Sequence, residues 1–528
     1  MARRQRVAPT PPVVLAPVGG IDDTSALASM DPKYALDMLN MYPESRALRV
    51  RFGYREHITS MANNGLTLMA YHNPNGTSEL FCATDSGIYD VTTPSSTPTN
   101  VKALTNGRCS WTMITNSAGS YLVGCNGTDA AFFYDGTTWA NFVATGTPAL
   151  PGDVNGLAPA DFAFVGVHKN RLWVAKKNTS EAYYFPVDSI GGTVNPLYLG
   201  PLWKKGGRLI NFFSYTFDNG ESPDDVLVFQ SSEGQLSAYS GSDPSAAATW
   251  GLAASYSIGR PLGDRTFAEL NGDIMLLNIF GVVSFSQVAS GGYQLGASEG
   301  TASGRISHTL NEVARERSSS PGWEVHNAPT FQYLIVQLPS SGEAAPSQYI
   351  MNTVTGAWCR FDLMASTFIE FDGHLYFTDE SGRVLRYEYG LTVDEVPLAG
   401  GAGNPIIAGF QQAFNYFGQP SVKKHYKLIR LVFNAQDQPG YRYTLLRDFE
   451  SGDITSAEVP STAVSAGGSL WGSGLWDTAT WGASYQTFQR WNGLSGDGYC
   501  ASLVVRTATT LDTTYSASNW VYEPSFGL

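Results

Sequence analysis

The feature that most constrains this chain is a two-strand pattern repeated between about residue 65 and residue 390. Leu80-Phe81-Cys82-Ala83-Thr84 turns at Asp85-Ser86-Gly87 into Ile88-Tyr89-Asp90-Val91. The same theme returns at 121–134, 171–185, 226–239, 274–285, 333–351 and 374–387. Each time an apolar run, a polar turn and a second apolar run follow one another. Roughly seven such units, spaced by about 40–60 residues, lie near the ~40–50 residues of a propeller blade. A lone hairpin cannot bury its own faces, but blades stacked around an axis bury each other's and leave few open edges. The pattern therefore predicts an all-β fold built on a β-propeller of about 6–8 blades. Stacked β-sandwiches use the same hairpins and stand as the alternative.

Composition agrees with many short strands. Glycine supplies 55 of 528 residues and aromatics 12%, while charged residues are only 15%, against roughly 25% in an ordinary globular chain. Few Lys, Arg and Glu exclude a long-helix protein, and 43% hydrophobic residues exclude a disordered one. The balance of 33 basic and 46 acidic residues leaves −13, which argues against tight, sequence-independent DNA binding.

Both ends differ from the middle. Residues 1–20 begin with Arg3, Arg4 and Arg6 and continue through Pro9, Pro11, Pro12 and Pro17. They read as an extended arm ordered against a partner, and the prolines interrupt any secretory signal. No apolar run approaches the ~18–20 residues of a membrane span, so a soluble protein made in a cytosol is expected. Asp31-Pro32 followed by Ala35, Leu36 and Leu39 predicts a short helix stopped by Pro43. Leu48–Tyr54 predicts a strand. Residues 21–62 then form the N-terminal part of a platform-like β-domain, 63–394 the propeller, and 395–528 a C-terminal antiparallel β-domain. The boundary falls in the glycine-rich 399–405 segment. Ser307–Arg315 has helical spacing and predicts a helix inserted between two blades.

Motifs for chemistry are sparse. Cys82, Cys109, Cys125, Cys359 and Cys500 are odd in number and widely spaced, which predicts buried thiols rather than a disulfide framework or a zinc site. The seven histidines are scattered, and neither a nucleophile elbow nor a phosphate loop is present. No cofactor is predicted. Asp22-Asp23 and Glu221-Ser222-Pro223-Asp224-Asp225 lack the alternating oxygen ligands of a calcium loop. Asp135-Gly136-Thr137-Thr138-Trp139 approaches a sialidase-type Asp-box, but its Asp and Gly are adjacent and the motif is not repeated. Trp471, Trp476 and Trp481 recur every five residues, which alternates faces on a strand and favours packing over one stacking platform.

A resemblance joins the two ends. Gly19-Gly20-Ile21, the segment from Asp31-Pro32 to Asn40, Pro43 and Arg51-Phe52-Gly53-Tyr54 are similar to the opening of tail nozzle (tail tube) proteins of short-tailed, podovirus-type bacteriophages. Phe414–Gly418, Ser421–Lys427 and Trp476–Trp481 resemble that family's C-terminal pieces. The resemblance implies a virion structural protein without enzyme activity. It implies a hexamer below the portal–adaptor assembly, with tail fibres or tip proteins as further partners. Viral DNA would pass through its channel without specific binding. A lumen that releases DNA should repel phosphate, so acidic turns at Asp224, Asp225 and Asp264 are the candidate channel-lining residues. Two rival readings remain: a carbohydrate-binding or glycan-cleaving propeller acting at the host surface, and another tail or baseplate attachment protein.

Overall fold

The fold was taken from a computed structural model. It describes residues 11–524 apart from 75, 77, 219–222, 247, 297–299, 341–346 and 452–484. Six separate antiparallel sheets of three or four strands are arranged as the blades of a β-propeller. Each expected hairpin forms the second and third strands of one unit; in the first blade these are Glu79–Thr84 and Gly87–Asp90. Middle strands are packed on both faces, which is why Tyr333–Leu338 is buried at every position and reads as an unbroken apolar run.

A seventh four-stranded unit, from Glu324–Ala328 to Trp358–Phe361, lies between the fifth blade and the last one. It does not end at its own outer strand. Trp358–Phe361 pairs in parallel with Ala35–Leu39, and the sheet runs on through Asn404–Gln412 and Ala501–Thr509 to Tyr441–Arg447, nine strands in all. That continuation is one layer of the terminal β-domain. The other layer is a seven-stranded sheet containing Lys424–Ala435, Gln486–Gly493 and Thr513–Pro524. Along Lys424–Ala435, Ile429, Leu431, Phe433 and Ala435 are buried and alternate with half-buried neighbours, as in a strand with one face on a core. Rings then meet across the layers: Phe410 and Tyr515 are 4.8 Å apart, and Phe433 and Tyr441 are 4.9 Å apart.

Three expectations change. Asp31–Asn40 is not a helix. Asp31 Oδ1 accepts the Lys33 N–H at 3.0 Å and the Asp31 carbonyl accepts the Tyr34 N–H at 3.0 Å, which makes a turn. Ala35–Leu39 then becomes a strand because two neighbours claim its backbone groups, and this pairing overrides a weak local helix preference. Second, the Leu48–Tyr54 strand is split. Leu48–Val50 joins the sandwich, whereas Tyr54–Ile58 pairs with Val384–Tyr387 as the outermost strand of the last blade. The ring is thus closed by residues from the N-terminal region. Third, the arm is ordered against its own chain from Pro11 onward: Val13–Leu15 adds to Thr513–Pro524. The predicted helix between blades is present as Ser307–Glu316, and Asp23 caps it by accepting the His308 and Thr309 N–H groups at 3.2 and 2.7 Å.

Propeller and sandwich are locked at Arg51. Its side chain is buried, and both oxygens of Asp394 accept from its Nη atoms at 2.7 Å. Its Nε donates to Asn40 Oδ1 at 2.9 Å, and Nη1 also reaches the Phe52 carbonyl at 3.0 Å. Burial alone would weaken the charged form, but Asp394 and Asp362 more than offset it and hold the guanidinium pKa above its ordinary value. Two glycines make the approach possible. A Cβ on Gly53 would lie 1.8 Å from the Val393 carbonyl oxygen, and one on Gly20, at φ +77°, would lie 2.5 Å from that of Trp358. Removing one partner of a buried pair costs about 3–5 kcal/mol. Arg51→Met is therefore expected to lower the denaturant midpoint by a corresponding amount, and Gly53→Ala to lower it as well. An unchanged midpoint for either variant would refute this account of the joint.

Candidate functional site at the propeller axis

The innermost strand of each unit begins at the same end of the ring, so their first residues converge on the axis. Thr67, Ser110, Phe164, Phe267, Glu324, His326 and Thr367 line a cavity of ≈ 200 Å³ there. Arg265 precedes the innermost strand of the fifth blade and reaches across this opening. Its Nη1 donates to the Leu66 carbonyl at 2.9 Å, and its Nη2 to Thr67 Oγ1 and to the Cys109 carbonyl, the latter at 3.1 Å. Thr67 Oγ1 also donates to the Gly107 carbonyl at 2.6 Å and accepts the Cys109 N–H at 2.9 Å. One guanidinium therefore fastens the fifth blade to the first and to the entrance of the second. The cavity at this bridged end has room for only a handful of waters at ~30 Å³ each. It is too small to pass a nucleic-acid strand.

The cavity gathers ionisable groups. Burial raises the Glu324 carboxyl pKa, opposed by the charge of Arg265 and a hydrogen bond from Thr367. Burial lowers the Arg108 guanidinium, and the like charge of Arg265 lowers it further. Asp264 stands exposed at the mouth, and its backbone carbonyl accepts Asn211 Nδ2 at 3.0 Å. On the same face a larger cleft of ≈ 610 Å³ shares Asp264 and is lined by Lys177, Arg208 and Arg260.

The three candidate channel acids do not meet. Asp264 lies where an innermost strand starts. Asp225 is exposed at the far end of the fourth blade, in the hairpin that ends Leu209–Asp218, and accepts from Thr216 Oγ1 at 2.6 Å. Asp224 sits beside it in the register, opposite Phe217. Opposite ends of the ring thus carry the two sets, Asp264 ahead of the fifth blade and Asp224 and Asp225 on the fourth. Sequence reading missed Arg265, Arg108 and Glu324; the signal was an arginine just after a glycine and just before an inner strand, as in Gly107-Arg108 and Gly263-Asp264-Arg265.

Other motifs are structural. Asp135 Oδ1 accepts the Thr137 and Thr138 N–H groups at 2.8 and 2.7 Å, so the Asp-box-like segment is a turn. Asp22 is buried, and hydrogen bonds from Ser25 and Thr24 outweigh that burial and hold its carboxyl below the usual range. Arg305 Nη1 completes its shell at 2.7 Å. All five cysteines are buried free thiols. Among the described residues no group of three or more His, Cys, Asp or Glu could hold a metal ion, and no helix is long and apolar enough to cross a membrane. Trp471, Trp476 and Trp481 lie outside the described residues.

No protein family and no curated protein matches the chain. Solved structures similar to it include the computationally designed Ika8 protein, at 9% identity, covering 67% of this chain and 96% of that one, with a TM-score of 0.35. BBS1N in complex with ARL6DN is similar at 11% identity, over 65% of this chain and 98% of that one, with a TM-score of 0.38. YCF48 from Cyanidioschyzon merolae is similar at 9% identity, over 64% and 98%, with a TM-score of 0.36.

The cavity has a consequence for acid stability. Burial drives the His326 imidazole down to about 4, from an ordinary value of 6.5. Between those values the unfolded chain binds the proton and the folded chain does not, so stability falls as pH drops from about 6.5 to about 4. His326→Gln is expected to lose less of its unfolding temperature between neutral pH and about pH 4.5 than the parent protein. Equal losses in scanning calorimetry would remove His326 as a source of acid sensitivity.

Proposed function

We propose that this chain is a structural subunit of a virion tail nozzle of the short-tailed phage type, copies of which surround a conduit for the genome. The observation that carries this reading is where the family-like residues lie. Gly20 packs on Trp358, Arg51 clasps Asp394, and Gly53 lies against Val393. The N-terminal motifs that resemble the nozzle family thus lie where sandwich and propeller join. A propeller whose axis is bridged by Arg265 cannot itself be the conduit, so the passage would run between copies. Six copies follow from the resemblance alone. Exposed Leu15, Ile407, Leu428 and Trp491 on the terminal domain suit a contact with a neighbour, since apolar and aromatic residues favour interface cores. A charge of −13 repeated around a ring would repel passing phosphates.

A second reading, a glycan-binding or glycan-cleaving propeller, is favoured by Asp264 and Glu324 lining one cavity with the Glu324 carboxyl raised. Two carboxyl groups flanking one pocket are the basis of glycoside hydrolysis. Native mass measurement and electron microscopy of the full chain, alone and with the tail adaptor, separate the two. Six-fold rings, free or on the adaptor, are the expected result. A protein that stays monomeric on the adaptor and cleaves a surface glycan would overturn the nozzle reading in favour of the second.

A further inference from the structure

Most arginines in this protein that approach a carboxylate hold it closely. Arg49, Arg51, Arg171, Arg360 and Arg383 are each in an ion pair with Asp or Glu. The face cleft breaks that habit. Arg208 and Arg260 line it, and among the described residues neither has a carboxylate within ion-pair distance. Among the described residues the Arg208 guanidinium donates only to Asn178 Oδ1, at 3.1 Å, which points it toward the third blade. Lys177, also in the lining, donates to the Gly127 carbonyl. Arg260 is exposed, and its guanidinium has no hydrogen-bond partner among the described residues.

The two arginines are held on either side of one turn. Ser232 N–H donates to the Arg208 carbonyl at 2.8 Å, and the Arg208 N–H donates to Ser232 Oγ at 3.2 Å. On the other flank the Ile258 N–H donates to the Gly234 carbonyl at 2.8 Å, just before Arg260. A Cβ on Gly234, at φ +78°, would lie 2.5 Å from the Gly259 carbonyl oxygen, so this approach is tight backbone packing. Rigid elements thus present the cations, and the acids in the lining, Glu233 and Asp264, neutralise neither of them directly. In a chain of net charge −13 this is a local excess of unpaired positive charge.

The rest of the lining narrows the ligand. Thr128, Asn178 and Ser319 offer hydroxyl and amide groups, and Ile210 and Leu262 a small apolar floor. No aromatic ring lines the cleft, so it lacks the stacking platform that single-stranded nucleic acid uses. A volume of ≈ 610 Å³ is that of a small-molecule site. We propose that this cleft binds an acidic saccharide, with Arg208 and Arg260 holding its oxyanion groups and the hydroxyl and amide rim holding its hydroxyls. Guanidinium forks suit carboxylate and phosphate alike, so free inorganic anions share the charge chemistry but not the rim. The inference rests on the cleft alone and stands independently of any assembly.

Calorimetric titration of the full chain with trigalacturonate, maltotriose, inorganic phosphate and a short DNA duplex tests it. Trigalacturonate is expected to bind, to weaken as salt is raised, and to bind at least tenfold more tightly than maltotriose or phosphate. The double variant Arg208→Gln, Arg260→Gln is expected to lose at least tenfold in affinity with an unchanged unfolding temperature, since both side chains are exposed. No binding of trigalacturonate, equal binding by the folded double variant, or equal binding of maltotriose or phosphate would overturn the proposal. So would binding of the duplex in place of trigalacturonate.

Discussion

The bidentate contact between Arg51 and Asp394 is the interaction on which the remaining architecture depends. A guanidinium buried between a propeller and a sandwich is tolerable only if its donors are filled, and here Asp394, Asn40 and the Phe52 carbonyl fill them. Asn40 and Phe52 come from the N-terminal region, and Asp394 from a stretch more than 300 residues away. Once they meet, the Ala35–Leu39 strand is held beside Trp358–Phe361, and Arg360 adds a second bidentate pair with Asp37 at 2.9 and 2.6 Å. The same joint directs Tyr54–Ile58 into the last blade. Closure of the ring and attachment of the terminal domain are therefore one event, made by consecutive residues of the N-terminal region.

A second arginine does similar service at the axis. A ring of blades leaves a hole where side chains from all units face one another, and small differences in side-chain length leave polar backbone groups exposed to it. Arg265 satisfies three acceptors on two other blades and fills the opening. The cost is a cavity around which Glu324 and nearby Arg108 feel burial and each other's charge, and His326 feels burial. Its polarity belongs to ring closure first, and any use as a binding site is built on that.

Legibility in the sequence varied with how local the physics was. The seven hairpins could be read because each needs only its own apolar runs and its own turn; Asp85-Ser86-Gly87 and Asp379–Gly382 carry that information within a few residues. The helix at Ser307–Glu316 could be read for the same reason. The segment Asp31–Asn40 could not. Its capping signals are real, and Asp31 does bind nearby N–H groups, but the strand that follows is imposed by neighbours over 300 residues away in sequence. The axial arginines follow a glycine and precede an inner strand, but that local mark does not say which carbonyls they will find across a ring. Asp224, Asp225 and Asp264 look alike as acidic turns, yet alternate passes of the chain deliver them to opposite ends of the ring.

The amino-acid sequence by itself determined the repeat, the all-β class and the buried thiols, because each follows from short-range pattern and composition. Tertiary structure alone decided which strand closes the ring, how one blade grows into the terminal sandwich, that the axis is bridged, and that unpaired cations share a cleft. The physical reason is common to all four. Each depends on hydrogen bonds or charges between residues brought together only when the blades pack, and such pairings are set by the geometry of the closed ring rather than by any residue's neighbours in sequence.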